Sequence, residues 1–426
     1  MNRGTKGLRR LLVASAMGAV AVVLGGCSAA QSPGGHAVIT PATEPKAVVM
    51  TPKGTELHRS LLVIDGHNDL PWQIRTKADS SFDKMDLRQH QESVQTDIPR
   101  LRQGGVGAQF WVVYVPAETE KNGGAAKMAL EQFDLIDRMI SRYSDVFELA
   151  RTAADVERIY RQGKIAALIG IEGGHTIENS LDNLSLFYGR GARYMGLTHS
   201  ETTDWADSAT DEPRHGGLSE FGKRVVQEMN RLGMLVDLAH VSADTMRDAL
   251  RISKAPVIVS HASAHAIAAH PRNVPDDVLR MIAAGGGVVM VTFFPGYAHP
   301  QGARAMAGYF EQERALKARY PDPQEFKKAW QSYRKANPIP SGDVGMVVDH
   351  IDHIVRVAGI DHVGLGSDYD GVGMMPLQLE NVSGYPYITQ ELLNRGYSVA
   401  DIRKIMGENS LRVLRRAEQV ARQWSK

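Results

Sequence analysis

Eight short apolar runs punctuate the 426-residue chain, and six of them end on a residue able to bind a metal or move a proton. The first, Leu61-Leu62-Val63-Ile64, leads into Asp65-Gly66-His67-Asn68-Asp69. Ile165 to Glu172 is the third, Tyr194 to His199 the fourth, Gly233 to His240 the fifth, Pro256 to His261 the sixth and His362 to Asp368 the eighth. The second, Val106 to Val115, and the seventh, Gly286 to Phe294, end without an evident ligand. Strands of a parallel sheet covered on both faces read as continuous apolar runs rather than as alternations. Eight of them predict an α/β fold, the (β/α)8 or TIM-type barrel, which carries its chemistry at the C-terminal strand ends.

The intervals are helical in pattern. Met128 to Arg142 carries Leu130, Phe133, Ile136, Met139 and Ile140 on one face. Leu218 to Leu232, Ala243 to Ile252, Gly345 to Ala358 and Ser398 to Gln419 read likewise, and Pro275-Asp276-Asp277 marks a helix start. Between runs seven and eight, the charged stretch from Ala303 to Lys335 is a helical insertion on the face where a site would lie. It is either a lid or a solvated surface helix. The runner-up fold, an open doubly wound sheet, needs a Gly-rich loop after an early strand. Gly104-Gly105-Val106-Gly107 precedes a strand instead.

The N-terminus reads as an export signal. Arg3, Lys6, Arg9 and Arg10 precede an apolar run from Leu11 to Leu24, too short for a comfortable membrane span. Leu24-Gly25-Gly26-Cys27 resembles the bacterial lipobox. Residues 1–26 are therefore expected to be a signal peptide and Cys27 to be lipidated. Residues 27–55, rich in Ala, Pro, Thr and Ser, are expected to be a tether, and residues 56–426 the catalytic barrel. This puts the body in the bacterial cell envelope, lipid-anchored and facing away from the cytoplasm. Cys27 is the only cysteine, which excludes an intrachain disulfide. The formal net charge of +1 suggests no nucleic-acid partner. A homodimer is the commonest closed assembly and remains open.

His67 and Asp69 lie two apart, so on an extended chain both reach one side and can share a divalent ion. Asp65 is in phase with them and is expected to orient His67. Glu172 at a barrel mouth is costly unless it is paired or metal-bound, and a carboxylate can bridge two cations. His240 and His261 end consecutive strands, about 4.8 Å apart, and can share an ion. Nitrogen and oxygen donors without thiolate suit catalytic zinc, although manganese or cobalt also fits. The plain alternatives are a structural His-x-Asp turn, a salt-bridged glutamate and hydrogen-bonded core histidines. The other histidines (His36, His58, His90, His175, His215, His265, His270, His299, His350, His353 and His362) are read as surface or packing residues.

Seven motifs together resemble the membrane (renal-type) dipeptidases, zinc peptidases within the amidohydrolase-like barrels. They are Asp65-Gly66-His67-Asn68-Asp69-Leu70-Pro71, Ile171-Glu172-Gly173-Gly174-His175, Arg193 to His199, Asp237-Leu238-Ala239-His240-Val241-Ser242, Ser260-His261-Ala262-Ser263, Arg272 to Asp277, and Gly366-Ser367-Asp368-Tyr369-Asp370-Gly371. The likeness covers about residues 57 to 420. It implies one zinc on His67 and Asp69, a second on His240 and His261, and Glu172 bridging. It further implies that His199 contacts the substrate and the developing oxyanion, that Arg272 binds a C-terminal carboxylate, and that Asp368 is the proton-transferring acid/base. The implied activity is hydrolysis of dipeptides by a metal-bridging hydroxide. Departures are Glu201-Thr202-Thr203-Asp204-Trp205, where the family often has Asn-Thr-Pro-Trp, Tyr369 in place of a usual Phe, and no cysteine for the disulfides of animal members.

The chemistry agrees with these roles. Bound zinc lowers water's pKa to about 7. An acid at the eighth strand end is placed to pass a proton to the leaving amine. A planar guanidinium suits a carboxylate, whereas a plain surface arginine is the alternative reading of Arg272. Two competing functions stay open. One is another amidohydrolase-type hydrolase (lactonase, deacetylase or phosphotriesterase), many of which bridge their metals with a modified lysine, where this chain offers Glu172. The other is a non-catalytic envelope lipoprotein, which has no need of two ions.

Overall fold

The computed structural model describes residues 44–424. Among them are nine strands: β1 (Val63–Asn68), β2 (Val106–Tyr114), β3 (Phe147–Leu149), β4 (Ile165–Glu172), β5 (Ala192–Gly196), β6 (Leu235–Asp237), β7 (Ile258–Ala262), β8 (Val288–Val291) and β9 (Val363–Leu365). Their ladder runs β2-β1-β9-β8-β7-β6-β5-β4-β3, and a further pairing of β2 with β4 closes eight of them into a ring. The pairings are parallel. With helices between successive strands, this is the (β/α)8 barrel read from the apolar runs. The short β3 was not legible as a run. It pairs Ile165 to Ala167 of β4, and β5 pairs Ile169 to Ile171, so the two share one edge of β4 in succession.

Packing divides around the strands. Ile64, Ala108, Phe110, Leu168, Tyr194, Ile258 and Met290 belong to one buried cluster, which fills the barrel. Val63, Trp111, Val113, Ile169 and Val259 belong to another, against the helices. Tyr194 crosses the barrel because β4 has a glycine beside it. A Cβ on Gly170 would lie 2.0 Å from the Tyr194 ring.

The helices follow from stripes and caps. Glu220–Leu232 buries Val225, Val226 and Met229, starts at a Ser219 cap and stops at left-handed Gly233. Ala153–Arg161 starts in a Thr152/Asp155 capping box. Ser398 to Gln419 is not one helix: Val399–Arg403 and Asn409–Trp424 are separated by a wider turn, Lys404–Glu408, in which Gly407 is extended. The insertion between β8 and β9 is helical, with Pro300–Ala307, Tyr309–Arg319 and Pro323–Ala336. The last two bury no residue.

The body begins earlier than residue 56. Main-chain N–H groups of Lys46, Val48 and Thr51 donate to Asp343, Gln378 and Gln390, and Thr51 caps a helix at Pro52–Arg59. The segment expected to be a signal peptide, and Cys27, lie outside the described residues. Among the described residues no helix is long and apolar enough to cross a membrane.

Candidate active site

Imidazoles from four strands or their following loops converge on one carboxylate at the C-terminal end of β4. Oε1 of Glu172 lies 2.9 Å from Nε2 of His240, 3.5 Å from that of His67, 3.6 Å from that of His261 and 3.8 Å from that of His199. Nε2 of His67 is 3.2 Å from Oδ2 of Asp69, and the Nε2 atoms of His240 and His261 are 2.9 Å apart. Three tight donor triplets result: His67–Glu172–His261, Glu172–His199–His240 and His67–Asp69–Asp368. All these residues except half-buried His199 are buried.

The backbone reaches these positions differently from the sequence expectation. Asp69 is not on extended chain; β1 ends at Asn68, and Asp69 caps the helix Leu70–Lys77. Nor do His240 and His261 occupy equivalent strand positions. His261 lies inside β7, whereas His240 stands three residues beyond β6 and turns back through a left-handed backbone, φ 68°. Asp368 does the same three residues beyond β9, with φ 70°. Such a conformation costs a non-glycine residue about 1 kcal/mol or more, and persists where surrounding contacts impose it. At His240 the Ala209 N–H supplies one, donating to its carbonyl at 2.8 Å, with the Ser208 hydroxyl 3.3 Å from the same oxygen. Asp368 is held beside β1, its N–H donating to the His67 carbonyl while Asp69 N–H donates to Tyr369. The carboxylates of Asp69 and Asp368 close around Gly371, where a Cβ would lie 2.3 Å and 2.4 Å from their oxygens.

A hydrogen-bond network behind the imidazoles assigns their protons. The Tyr194 hydroxyl donates to the Gly66 carbonyl at 3.1 Å, and so must accept from Nδ1 of His67, also at 3.1 Å. The Ser260 hydroxyl donates to Asp237 at 2.7 Å and accepts from Nδ1 of His261 at 2.9 Å. The His261 ring then turns a bare Nε2 lone pair toward Glu172, and in His67, whose Nδ1 is committed as a donor, Nε2 is the nitrogen left for a cation. Nε2 of His67 is buried and has no hydrogen-bond partner among the described residues. Asp65, expected to orient His67, reaches only its main-chain N–H, at 3.5 Å, and not the ring. Asp65 instead accepts from the Ser367 N–H and hydroxyl, each at 2.7 Å, and from Gln109, tying β1 to the segment that carries Asp368. Neither Tyr194 nor Ser260 was singled out in the sequence; a polar residue inside an apolar barrel strand was the available signal.

The electrostatics call for cations. Burial pushes the Glu172 carboxyl up to about 8, against the pull of His67. Burial pushes Asp368 up to about 7, against His67 and Arg272. Burial disfavours a charged His67, yet Asp69, Glu172 and Asp368 outweigh it and raise the ring to about 10. Burial holds His240 and His261 well below their usual range and His199 at about 3. A cage of three carboxylates and four inward imidazoles, with the buried Nε2 of His67 lacking a hydrogen-bond partner, fits hard or borderline divalent metals.

To one side lies Arg272, 1 % exposed. Its guanidinium stands 5.2 Å over the Tyr297 ring, Nη2 donates to the His261 carbonyl, and Nε and Nη1 have no partner among the described residues. To the other side, the ring of Tyr114 packs edge-on against His199 at 5.1 Å and Trp72 at 4.9 Å. Tyr369 donates its extra hydroxyl to the Leu379 carbonyl. In the unusual 201–205 stretch, Glu201 pairs with Lys121, and Trp205 is buried under Gly174.

Known proteins share this arrangement of chain. The profile of the membrane dipeptidases, peptidase family M19, matches residues 52–426. The probable dipeptidase PvdM from Pseudomonas aeruginosa is 26% identical over 87% of this chain and 98% of its own, with a TM-score of 0.74. A metallo peptidase from Rhodobacter sphaeroides, solved with a phosphinate mimic of the dipeptide L-Ala-D-Ala, is 26% identical over 84% of this chain and 99% of its own, with a TM-score of 0.69.

Proposed function

Because the chain belongs to the membrane dipeptidase family, a family of metallopeptidases, we propose that it is a binuclear zinc dipeptidase acting on dipeptides with a free C-terminal carboxylate. The observation that carries this reading is the convergence of the Nε2 atoms of His67, His240 and His261 on Glu172, beside a buried guanidinium whose Nε and Nη1 have no partner among the described residues. His67 and Asp69 would hold one ion, His240 and His261 the other, and Glu172 both. Two zinc ions there would supply a hydroxide nucleophile near neutral pH and polarise the scissile carbonyl.

The chain's own groups supply the rest. Arg272 pairs with the substrate carboxylate in a water-poor setting, where such a pair is strong and geometrically selective. This fixes the scissile bond one residue from the C-terminus. His199, kept neutral by burial, donates to the oxygen on which negative charge develops. Asp368, buried beside His67 and Asp69 beyond the end of β9, takes the proton of the attacking water and returns it to the leaving amine. The neighbour bound to an L-Ala-D-Ala mimic supports extending the substrates to a D-residue at the C-terminal position. The insertion helices are read as a lid; the approach of Arg314 to the Thr210 carbonyl, at 3.5 Å, supports this. The lipobox-like segment at Cys27 supports a lipid-anchored protein of the bacterial envelope, and Cys27→Ser should move it from the membrane to the soluble fraction.

The deciding experiment loads purified protein with zinc and assays L,L and L,D dipeptides, lactones and phosphotriesters, with metal content measured alongside. Dipeptide turnover that disappears with the metal in Asp69→Ala and His240→Ala is the expected result. Full activity in either variant, or turnover confined to the other substrate classes, overturns the proposal.

A further inference from the structure

His270 was read in the sequence as a packing residue, and its surroundings are more specific than packing requires. It is 1 % exposed. Its Nδ1 accepts from the main-chain N–H of Arg272 at 3.1 Å. With that nitrogen an acceptor, the ring proton sits on Nε2, and the ring faces the main chain of Met306. Met306 is buried in Pro300–Ala307, the first helix of the insertion after the Pro295–Ala298 turn. One face of the ring packs on Tyr297 at 4.8 Å, the same tyrosine over which the Arg272 guanidinium stands. Burial, with Arg272 adding, keeps the imidazole neutral by pulling its pKa to about 4. The neighbouring main chain is fixed as well. Asn273 accepts from Ser263 N–H and donates to the carbonyls of Ala268 and Tyr297.

Pro271 locks one backbone angle immediately before the arginine, so the rotation left to Arg272 is controlled by its own N–H. That N–H meets no carbonyl; it meets the His270 ring. We propose that His270 is a positioning residue, which bridges the Arg272 main chain to the insertion helix and thereby aims the guanidinium at the substrate's C-terminal carboxylate. The proposal rests on the dipeptidase reading, and it gives the insertion a direct mechanical connection to substrate recognition. Removing the ring leaves the arginine's charge in place and loosens its aim.

The test compares His270→Ala and His270→Asn in zinc-loaded protein. Asn places its side-chain oxygen where Nδ1 accepts, so it retains the contact to Arg272. Two readouts are needed: kcat and KM on a dipeptide, and calorimetric affinity for a phosphinate dipeptide mimic with a free carboxylate against its C-terminal amide. For Ala, the loss of one hydrogen bond predicts a KM about tenfold higher with kcat within about twofold, and an acid mimic bound about tenfold more weakly with the amide unaffected. Asn should recover both to within about threefold. Equal weakening of acid and amide, an unchanged KM in the Ala variant, or an Asn variant as impaired as Ala would each overturn the role of His270 while leaving the dipeptidase reading intact. Wild-type protein that cleaves no dipeptide and does not prefer the acid mimic would overturn both.

Discussion

The Tyr194 hydroxyl stands 3.1 Å from Nδ1 of His67 while giving its own proton to the Gly66 carbonyl. One side chain, sent from β5 across the barrel, thus determines which nitrogen of a β1 histidine is free to bind a metal. Tyr194→Phe keeps the ring and its packing and removes only the acceptor. Metal affinity, measured by competition with a chelator, should fall about 10- to 100-fold. An affinity equal to wild type would show that the tautomer is set by something else.

Gly371 separates two carboxylates that a methyl group could not. Gly371→Ala should therefore push Asp69 and Asp368 off position and lower kcat/KM by about 100-fold or more. Gly373, with nothing within 4 Å of a built Cβ, is the internal control. Comparable losses in the two alanine variants would mean that loop flexibility, rather than the close approach, is at stake.

Asp368→Asn removes the proton carrier while preserving shape. Turnover should drop about 100- to 10,000-fold, with KM changed far less. Bound metal counted by mass spectrometry should stay at the wild-type level, because Asp368 is assigned to proton transfer and not to holding an ion. Loss of metal in step with activity would reassign it as a ligand.

His350 makes a pH prediction away from the metal cage. It accepts from Ala264 N–H at 3.0 Å, meets the Ala298 carbonyl at 2.8 Å through its other nitrogen, and burial lowers its pKa to about 4. In the unfolded chain the ring titrates near 6.5. Above that pH both states are neutral and nothing changes. As pH falls from 6.5 toward 4 the unfolded state takes up a proton that the folded state refuses, so stability is lost. The gap of about 2.5 units corresponds to about 3 kcal/mol. Denaturant melts of metal-stripped His350→Gln should show a correspondingly shallower decline over that interval. An identical decline in the variant would remove His350 from the account.

Much of this was legible because buried strands are monotonous. Val-Val-Met-Val and Ile-Ala-Ala-Leu-Ile admit few other structures, so a charged residue closing such a run stands out; Glu172, His261 and Asp368 were visible for that reason. Phe147–Leu149 was not, since three residues make no run. Helix pattern likewise overran the break at Lys404–Glu408, because apolar spacing persists through it. The exact reach of His240 and Asp69 was hidden for a different reason. A left-handed residue and a helix start depend on contacts made outside the local sequence, such as Ser208 on His240, 32 positions away, and Tyr369 on Asp69, 300 positions away. Network members such as Tyr194 and Ser260 show only as polar residues inside apolar strands, and His270 not even as that; they acquire meaning when a distant partner is brought to them.

The ring is closed by β9, which slots between β8 and β1 and brings Asp368 alongside His67. A polypeptide that lacks this last strand carries all five prospective ligands, yet neither closes the ring nor sets Asp368 beside His67. Completion of the site is thereby tied to completion of the barrel.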